Sequence, residues 1–577
     1  MRGIVSRFGD SAAGIEVTFG RARTSKAPES SAQSQSGRLL VQLRSHECRT
    51  EVLSCANKSV RYHWAGAIRL SLVAALLLAS VPAGASEFIV NSTDDAVDAT
   101  PGDGHCETLV GNHICTLRAA VMEANKASGF GATITLPAGT YKLILPATLA
   151  DGEDGGDLNL TVPQVPSSLT VITINGAGAA TTIIDAQQND RVFNVAVGRT
   201  ARISGVSIIN GLTVTALGGG GIYNAGDLTV NDCILSGNIA AAADGGGILN
   251  EGAFSATRVT FSVNTATNGH GGGIASHGDS VTLTNSVLSG NLAAGDGGGI
   301  FMGSGSLTLN HSSLGDNIAS SGRGGGIFTN GSTTISYSTV SDNTAGDYGG
   351  GIDEDPSGTL EINTSTISGN SATFRGGGIA NFGQLILRNS TLSQNHSKES
   401  GAGVWNWNEP SASASVYNST IVFNQADSDA NGSGVGGGAY IGVDSVFSIR
   451  NTVIAGNTRS SPVIADDCSG FLVIYGNNRL STAAGCTAAT GDPGSTAALI
   501  GSLSELGVLA NNGGPSKTIA LIPPSTMNRR RRHQSGMRRS EQRGNGHRST
   551  RLPSLRRALR YWCIRVQPRV HFGNGFE

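Results

Sequence analysis

Gly271-Gly-Gly-Ile274-Ala-Ser-His-Gly-Asp-Ser-Val281-Thr-Leu-Thr-Asn285-Ser-Val-Leu-Ser-Gly-Asn291-Leu-Ala-Ala-Gly-Asp-Gly-Gly-Gly-Ile300 is the stretch that decides the fold. It opens and closes on the same Gly-Gly-Gly-Ile. The residue after each glycine triplet is Ile222, Ile248, Ile274, Ile300, Ile327, Ile352 and Ile379, at spacings of 26, 26, 26, 27, 25 and 27. Gly-Ala-Gly-Val404 and Gly-Gly-Gly-Ala439 continue the column less regularly. A second column runs in phase: Asn238, Asn264, Asn291, Asn317, Asn343, Asn370, Asn395, Asn424 and Asn457. Between the columns lie alternating segments such as Val281-Thr-Leu-Thr-Asn285, Leu307-Thr-Leu-Asn310 and Leu385-Ile-Leu-Arg388.

Alternating apolar and polar residues make a strand with one buried face. A unit of this length, with two or three short strands, cannot bury that face alone; stacking identical units does. Each strand then pairs in parallel with its copy one turn away, about 4.8 Å distant. The expectation is an all-β chain: a single right-handed parallel β-helix of about 13 turns over residues 131–500, roughly 60 Å long. Ile222 to Ile379 form one interior ladder, and Leu228, Val281 and Leu307 belong to others. The recurring asparagines belong at corners, where their amides bond backbone and one another. Strands before Ile222 are looser: Ala132–Leu136, Leu169–Ile174, Thr182–Asp185 and Ala201–Ser204.

Gly is 82 of 577 residues, aromatics are 5% and charged residues 14%. Without a period this composition would indicate disorder; with one, the glycines are turn positions. The formal charge is −2, with Arg gathered before residue 70 and after residue 527. The body is therefore net acidic, and nucleic acid is not among the expected partners. Arg61, His63 and Arg69, the apolar run Leu70–Ala79 and Ala83-Gly84-Ala85 form a secretory signal at 61–85, with a mature start near Ser86. No stretch is long enough for a transmembrane helix in the mature chain. The polar segment 1–60 before the signal is expected to be a mis-assigned, disordered upstream extension, with translation starting near Val60. The basic, aperiodic tail 527–577, which includes the run Arg529–Arg532, is expected to be a frameshift product.

Residues 86–130 are the expected N-terminal cap. Leu117, Ala120, Val121 and Ala124 fall on one helical face, and a helix laid across the first turn would shield its interior. In an exported protein Cys106 pairs with Cys115 and Cys468 with Cys486; Cys233, inside a repeat, is expected to be a buried free thiol. Cys115-Thr-Leu-Arg-Ala-Ala-Val121 with Glu123-Ala-Asn125 resembles the CSLREA motif that opens a class of exported bacterial β-helix proteins. Ile134-Thr-Leu-Pro-Ala-Gly-Thr-Tyr141 resembles their first strand and turn. Gly-Gly-Gly-Ile and Phe261-Ser-Val-Asn264 resemble the repeats of polymorphic outer-membrane proteins, which share the pectin-lyase-like fold. Asn511-Asn-Gly-Gly-Pro515 with Lys517-Thr-Ile-Ala-Leu521 resembles the segment that closes the CSLREA class, here 501–526. Ala119 departs from the motif, where Glu is usual. The resemblance spans about residues 86–524 and implies an exported protein, secreted or held at the outer membrane.

Chemistry has few places to live. The residue before each triplet forms a third column, Asp244, His270, Asp296, Arg323, Tyr348 and Arg375, in which Asp244, His270 and Asp296 are the candidate acid–base residues. A solvated corner with alternating charge is the competing reading. Asp427-x-Asp429-x-Asn431-Gly432 resembles the start of a Ca²⁺ loop, although its twelfth position is Gly438. Ca²⁺ there is the one cofactor suggested. Asp353-Glu-Asp355 is a second acidic spot, read as solvated surface. Trp405 and Trp407, at alternate positions, stack on sugar rings if exposed and fill a wide turn if buried. The expected function is an adhesin-like, non-enzymatic β-helix that binds surface glycans. The alternative is a lyase or hydrolase acting on acidic polysaccharide.

Overall fold

The structure is a computed structural model that describes residues 85–127, 131–147, 155–162, 171–460, 463–499, 505–514 and 516–522. The upstream segment 1–60, the predicted signal up to residue 84 and the tail 527–577 lie outside the described residues.

One repeat shows how the chain is built. Ile274–Ser276 follows the glycines, then come Ser280–Thr284, Val287–Ser289 and Leu292–Ala293. Each pairs in parallel with its copy in the next turn: Ile274 with Ile300, Val281 with Leu307, Leu288 with Leu314 and Ala293 with Ala319. This is the expected all-β parallel β-helix, with about 11 turns against the roughly 13 anticipated. The wall of three-residue strands after the glycines, here the triplet wall, merges with the wall of five-residue strands through Cys468–Tyr475. Ile222, Ile248, Ile274, Ile300, Ile327, Ile352 and Ile379 are wholly buried, one above another.

The asparagine column is a continuous buried ladder. Asn264 Nδ2 donates to Asn291 Oδ1 at 3.0 Å and to the Leu235 carbonyl at 3.0 Å, and the Asn264 amide donates to the same Oδ1 at 3.1 Å. The pattern repeats through Asn238, Asn317, Asn343, Asn370, Asn395 and Asn424 to Asn457, which donates to Asp467 Oδ1 at 3.1 Å. Each amide thus satisfies backbone that a corner would otherwise orphan. A serine ladder at another corner does the same: the amides of Ser286, Ser312, Ser338 and Ser365 donate to the next turn's Ser hydroxyl, each at 3.1 Å.

The helix Leu117–Lys126 lies at the start of the solenoid, N-capped by Thr116, with nine of its ten residues buried. Arg118 pairs with Asp95 at 2.6 Å and donates to the carbonyls of Gly156 and Asp157. Glu123 accepts the amides of Gly102 and Gly104. Asn125 donates to Asn159 O and accepts from the Thr161 amide. Ala119 is fully buried. Cys106 is bonded to Cys115 and Cys468 to Cys486, while Cys233 is a buried free thiol. Near the other end, Leu506–Ala510 and Thr518–Leu521 form an antiparallel hairpin. Its Leu506 and Ile519 pack on Val422, Val453 and Ala455, outside the solenoid bore. Among the described residues no helix is long and apolar enough to cross a membrane.

Candidate functional site on the triplet wall

Strand alternation sends the residue after each column isoleucine outward. Register then stacks these residues in one row: Tyr223, Leu249, Ala275, Phe301, Phe328, Asp353, Ala380, Trp405 and Tyr440. On one side of the row stands the column before the triplets. On the other stand Glu251, His277, Asp355, Phe382 and Trp407, two positions further along each strand. In a chain with 5% aromatics, this wall gathers an aromatic row flanked by charge.

At the N-terminal half, the candidate residues Asp244, His270 and Asp296 come together as a hydrogen-bond ladder. Asp244 Oδ1 accepts the His270 amide at 2.7 Å, His270 Nδ1 accepts the Asp296 amide at 2.8 Å, and Asp296 Oδ1 accepts the Arg323 amide at 2.7 Å. Asp296 Oδ2 stands 3.6 Å from His270 Nδ1, a longer contact than the amide that already uses that nitrogen's lone pair. The three candidates thus stand together on one wall, and Asp296 and His270 share no hydrogen-bonded proton. The closer pairing was not foreseen. His277 Nε2 lies 3.2 Å from Asp244 Oδ2, and its Nδ1 lies 3.0 Å from Glu251 Oε1. The Asp244 hydrogen bond is the main reason the His277 imidazole is raised to about 9. Burial pushes the Asp244 carboxyl up, but the His277 and His270 hydrogen bonds outweigh it and hold it below the ordinary carboxylate value. The ring of His270 stacks on Phe301 at 4.6 Å, and Phe301 stacks on Phe328 at 5.2 Å.

Mid-wall, the Arg323 guanidinium lies 4.6 Å over Phe328, with Nη1 3.4 Å from Asp353 Oδ1 and 3.1 Å from Asp355 Oδ1. Asp353 is fully buried and neither of its oxygens has a hydrogen-bond donor. Burial pushes its carboxyl well above the ordinary value, against the pull of Arg323. Glu354 points the other way, into the bore, and burial raises it to about 8. Asp353-Glu-Asp355 is therefore not the solvated surface expected; only Asp355 is partly exposed.

The C-terminal half is an aromatic cluster outside the main core: Tyr348, Phe382, Trp405, Trp407 and Tyr440. Tyr348 stacks on Trp405 at 5.3 Å, and Arg375 sits 5.4 Å from the Trp405 ring while pairing with Glu399 at 2.7 Å. Trp405 is 1% exposed, so its ring is a foundation and not a presented platform. This corrects the exposed reading of Trp405, yet the ring fills no widened turn either, since it lies outside the bore. Trp407 meets Trp405 edge-on at 5.0 Å and is half-buried.

The Asp427 loop leads into the triplet Gly436-Gly-Gly438 at the edge of this wall, bonded to Glu399 and Ser400. Asp427 is buried and its Oδ1 accepts the Gly432 amide, while Asp429 accepts the Asn431 amide and side chain. These oxygens serve the loop's own turn. Among the described residues no group of three or more His, Cys, Asp or Glu is arranged to hold a metal ion. The row is legible in the sequence by alternation alone: Tyr223, Phe301, Phe328, Trp405 and Tyr440 are five aromatics among its nine positions.

No family model matches the chain, and no curated protein matches it. Among solved structures the chain is similar to the A-module of the Azotobacter vinelandii mannuronan C-5 epimerase AlgE6. The two share 14% identity at a TM-score of 0.28, over 72% of this chain and 98% of that one. That protein is, by its name, an enzyme acting on mannuronan; a likeness of this size carries no argument about what the present chain does.

Proposed function

We propose that this chain is an exported, secreted or outer-membrane-associated β-helix that binds a glycan lengthwise along the triplet wall, as an adhesin-like protein does, without catalysis. One observation carries the reading: Phe301, Tyr348, Trp407 and Tyr440 are half-exposed rings on a single face, held by buried rings behind them and flanked by hydrogen-bonding side chains. Flat apolar rings beside polar groups match the two-sided chemistry of a sugar ring. Export is supported by the signal-like segment at 61–85, by two disulfides, which persist in oxidising compartments, and by the likeness to the CSLREA class and the polymorphic outer-membrane repeats. The non-enzymatic part is supported by the employment of Asp244, His270 and Asp296 in accepting the next turn's backbone amides, those of His270, Asp296 and Arg323.

The test is a glycan array with the secreted chain, followed by titration of each hit. Trp407→Ala is expected to weaken binding about tenfold, the scale of one ring contact. A blank array, or a hit indifferent to Trp407, removes the reading. Incubation with polygalacturonate or alginate, with and without Ca²⁺, tests the alternative. New reducing ends or unsaturated products would establish a lyase or hydrolase instead.

A further inference from the structure

Inside the bore, the third residue of each triplet-wall strand stands on its copy in the next turn: Asn224 on Asn250, and Glu354 on Asn381, which stands on Asn406. All five are fully buried. Where the residue is an amide, it hands a hydrogen onward. Asn224 Nδ2 donates to Asn250 Oδ1 at 2.6 Å and to the Ala253 carbonyl at 3.0 Å. Asn381 Nδ2 donates in the same way to Asn406 Oδ1 at 2.5 Å and to the Ser413 carbonyl at 3.2 Å. A carbonyl can only accept, so Ser413 fixes which end of the Asn381 amide carries the hydrogens. Asn381 Oδ1 is then left to take a donor from the turn before, where Glu354 stands. Asn381 Oδ1 and Glu354 Oε2 are both buried without a hydrogen-bond partner, while Glu354 Oε1 accepts the Gln384 amide at 3.2 Å. A carboxylate offers only acceptors, so two acceptors would meet in a dry rung; a carboxylic acid has one O–H to give. One proton satisfies both atoms.

Nothing around Glu354 favours its charge strongly enough to remove that proton. Burial raises the carboxyl to about 8, against the Gln384 and Leu360 amides, and no charged side chain acts on it among the described residues. In the turn before, Thr329 is engaged with Thr333 at 2.7 Å. On its own strand Asp353 faces outward to Arg323, and Asp355 pairs with the same guanidinium. We propose that Glu354 is a proton lock: its Oε2 carries a hydrogen and donates it to Asn381 Oδ1, and loss of that proton loosens the two turns that hold Asp353 and Phe382 on the triplet wall. The folded value of about 8 exceeds the ordinary 4.5, so the folded chain keeps a proton that an opened turn releases between those values. The lock is therefore firmest below about 4.5 and weakens as pH rises to about 8.

The test is infrared spectroscopy of the full chain with its glutamates isotopically labelled at the side-chain carboxyl, titrated from mildly acidic to alkaline pH. The label separates glutamate from Asp353, which burial also holds protonated. A labelled protonated-acid band is expected to persist at neutral pH, to vanish near pH 8, and to be missing from Glu354→Gln. The glutamine supplies a permanent donor in the same shape. It should also remove about tenfold per pH unit from the rise of hydrogen exchange, corrected for its intrinsic pH dependence, in strands Ile352–Glu354 and Ile379–Asn381, which is the linkage of one proton. Absence of a labelled acid band at neutral pH in the native chain overturns the proposal, whether or not the variant folds. A band that survives Glu354→Gln belongs to another glutamate, such as Glu123, and overturns it too. So does an exchange profile that the substitution leaves unchanged.

Discussion

Asn317 stands between Asn291 and Asn343 and serves both. Its Oδ1 accepts the Asn291 amide and side chain at 3.1 and 2.8 Å; its Nδ2 donates to the Leu288 carbonyl and to Asn343 Oδ1 at 3.1 and 2.9 Å. Asn317→Ala removes these four bonds inside a dry corner and leaves the Asn291 amide without its acceptor, so the expected loss is about 3 kcal/mol. Hydrogen exchange of the flanking turns reads it, and unchanged protection there would refute the ladder's role. His277 makes a prediction of a different kind. Its folded value of about 9 exceeds its ordinary 6.5, chiefly through the Asp244 hydrogen bond. Its contribution to stability is therefore complete below about 6.5 and is lost as pH rises through about 9. The thermal midpoint should fall over that window, and His277→Gln should flatten the fall.

At the scale of the element, the helix and its disulfide close a solenoid end that would otherwise expose apolar side chains and unpaired strand edges. The residues that resemble a family motif have evident structural work here: Arg118 ties Asp95 to Gly156 and Asp157, and Asn125 ties the helix to Asn159 and Thr161. Converting Cys106 and Cys115 to Ser should cost about 2–3 kcal/mol. The loss should appear as faster exchange in strands Ser86–Ile89 and Gly131–Leu136, because each turn of a solenoid contacts only its neighbours. Uniform loosening through strand Val446–Arg450 would contradict that picture.

At the scale of the molecule, the hairpin at 506–521 covers an apolar patch on the outer side of the wall that holds Thr420–Val422 and Val453–Ala455. Earlier turns of that wall end on Ser341, Ser368 and Ser393 where these end on Val422 and Ala455. A chain ended after residue 499 should keep its strand content by circular dichroism but bind an apolar dye and self-associate; a monomeric, dye-silent product would show the cover to be dispensable. The switch from serine to valine is visible in the sequence once the wall's alternation is known. It marks strands buried on both faces.

The sequence by itself determined the solenoid, its period, its isoleucine and asparagine ladders, the capping helix and both disulfides. The solenoid and its ladders follow from local alternation and a fixed repeat, since stacking adds only nearest-neighbour contacts; the helix follows from its one apolar face, and the disulfides from neighbouring cysteines in an exported chain. It also named Asp244, His270, Asp296, Trp405 and Trp407 without settling what they do. Only the tertiary structure decided that. Residues 26 or more positions apart become neighbours one turn away, so whether a column residue meets solvent depends on what the adjacent turn places beside it. That is why Trp405 lies beneath Tyr348, why His270 is occupied by the Asp296 amide, and why Asp353, which looked like surface, is sealed beside Arg323.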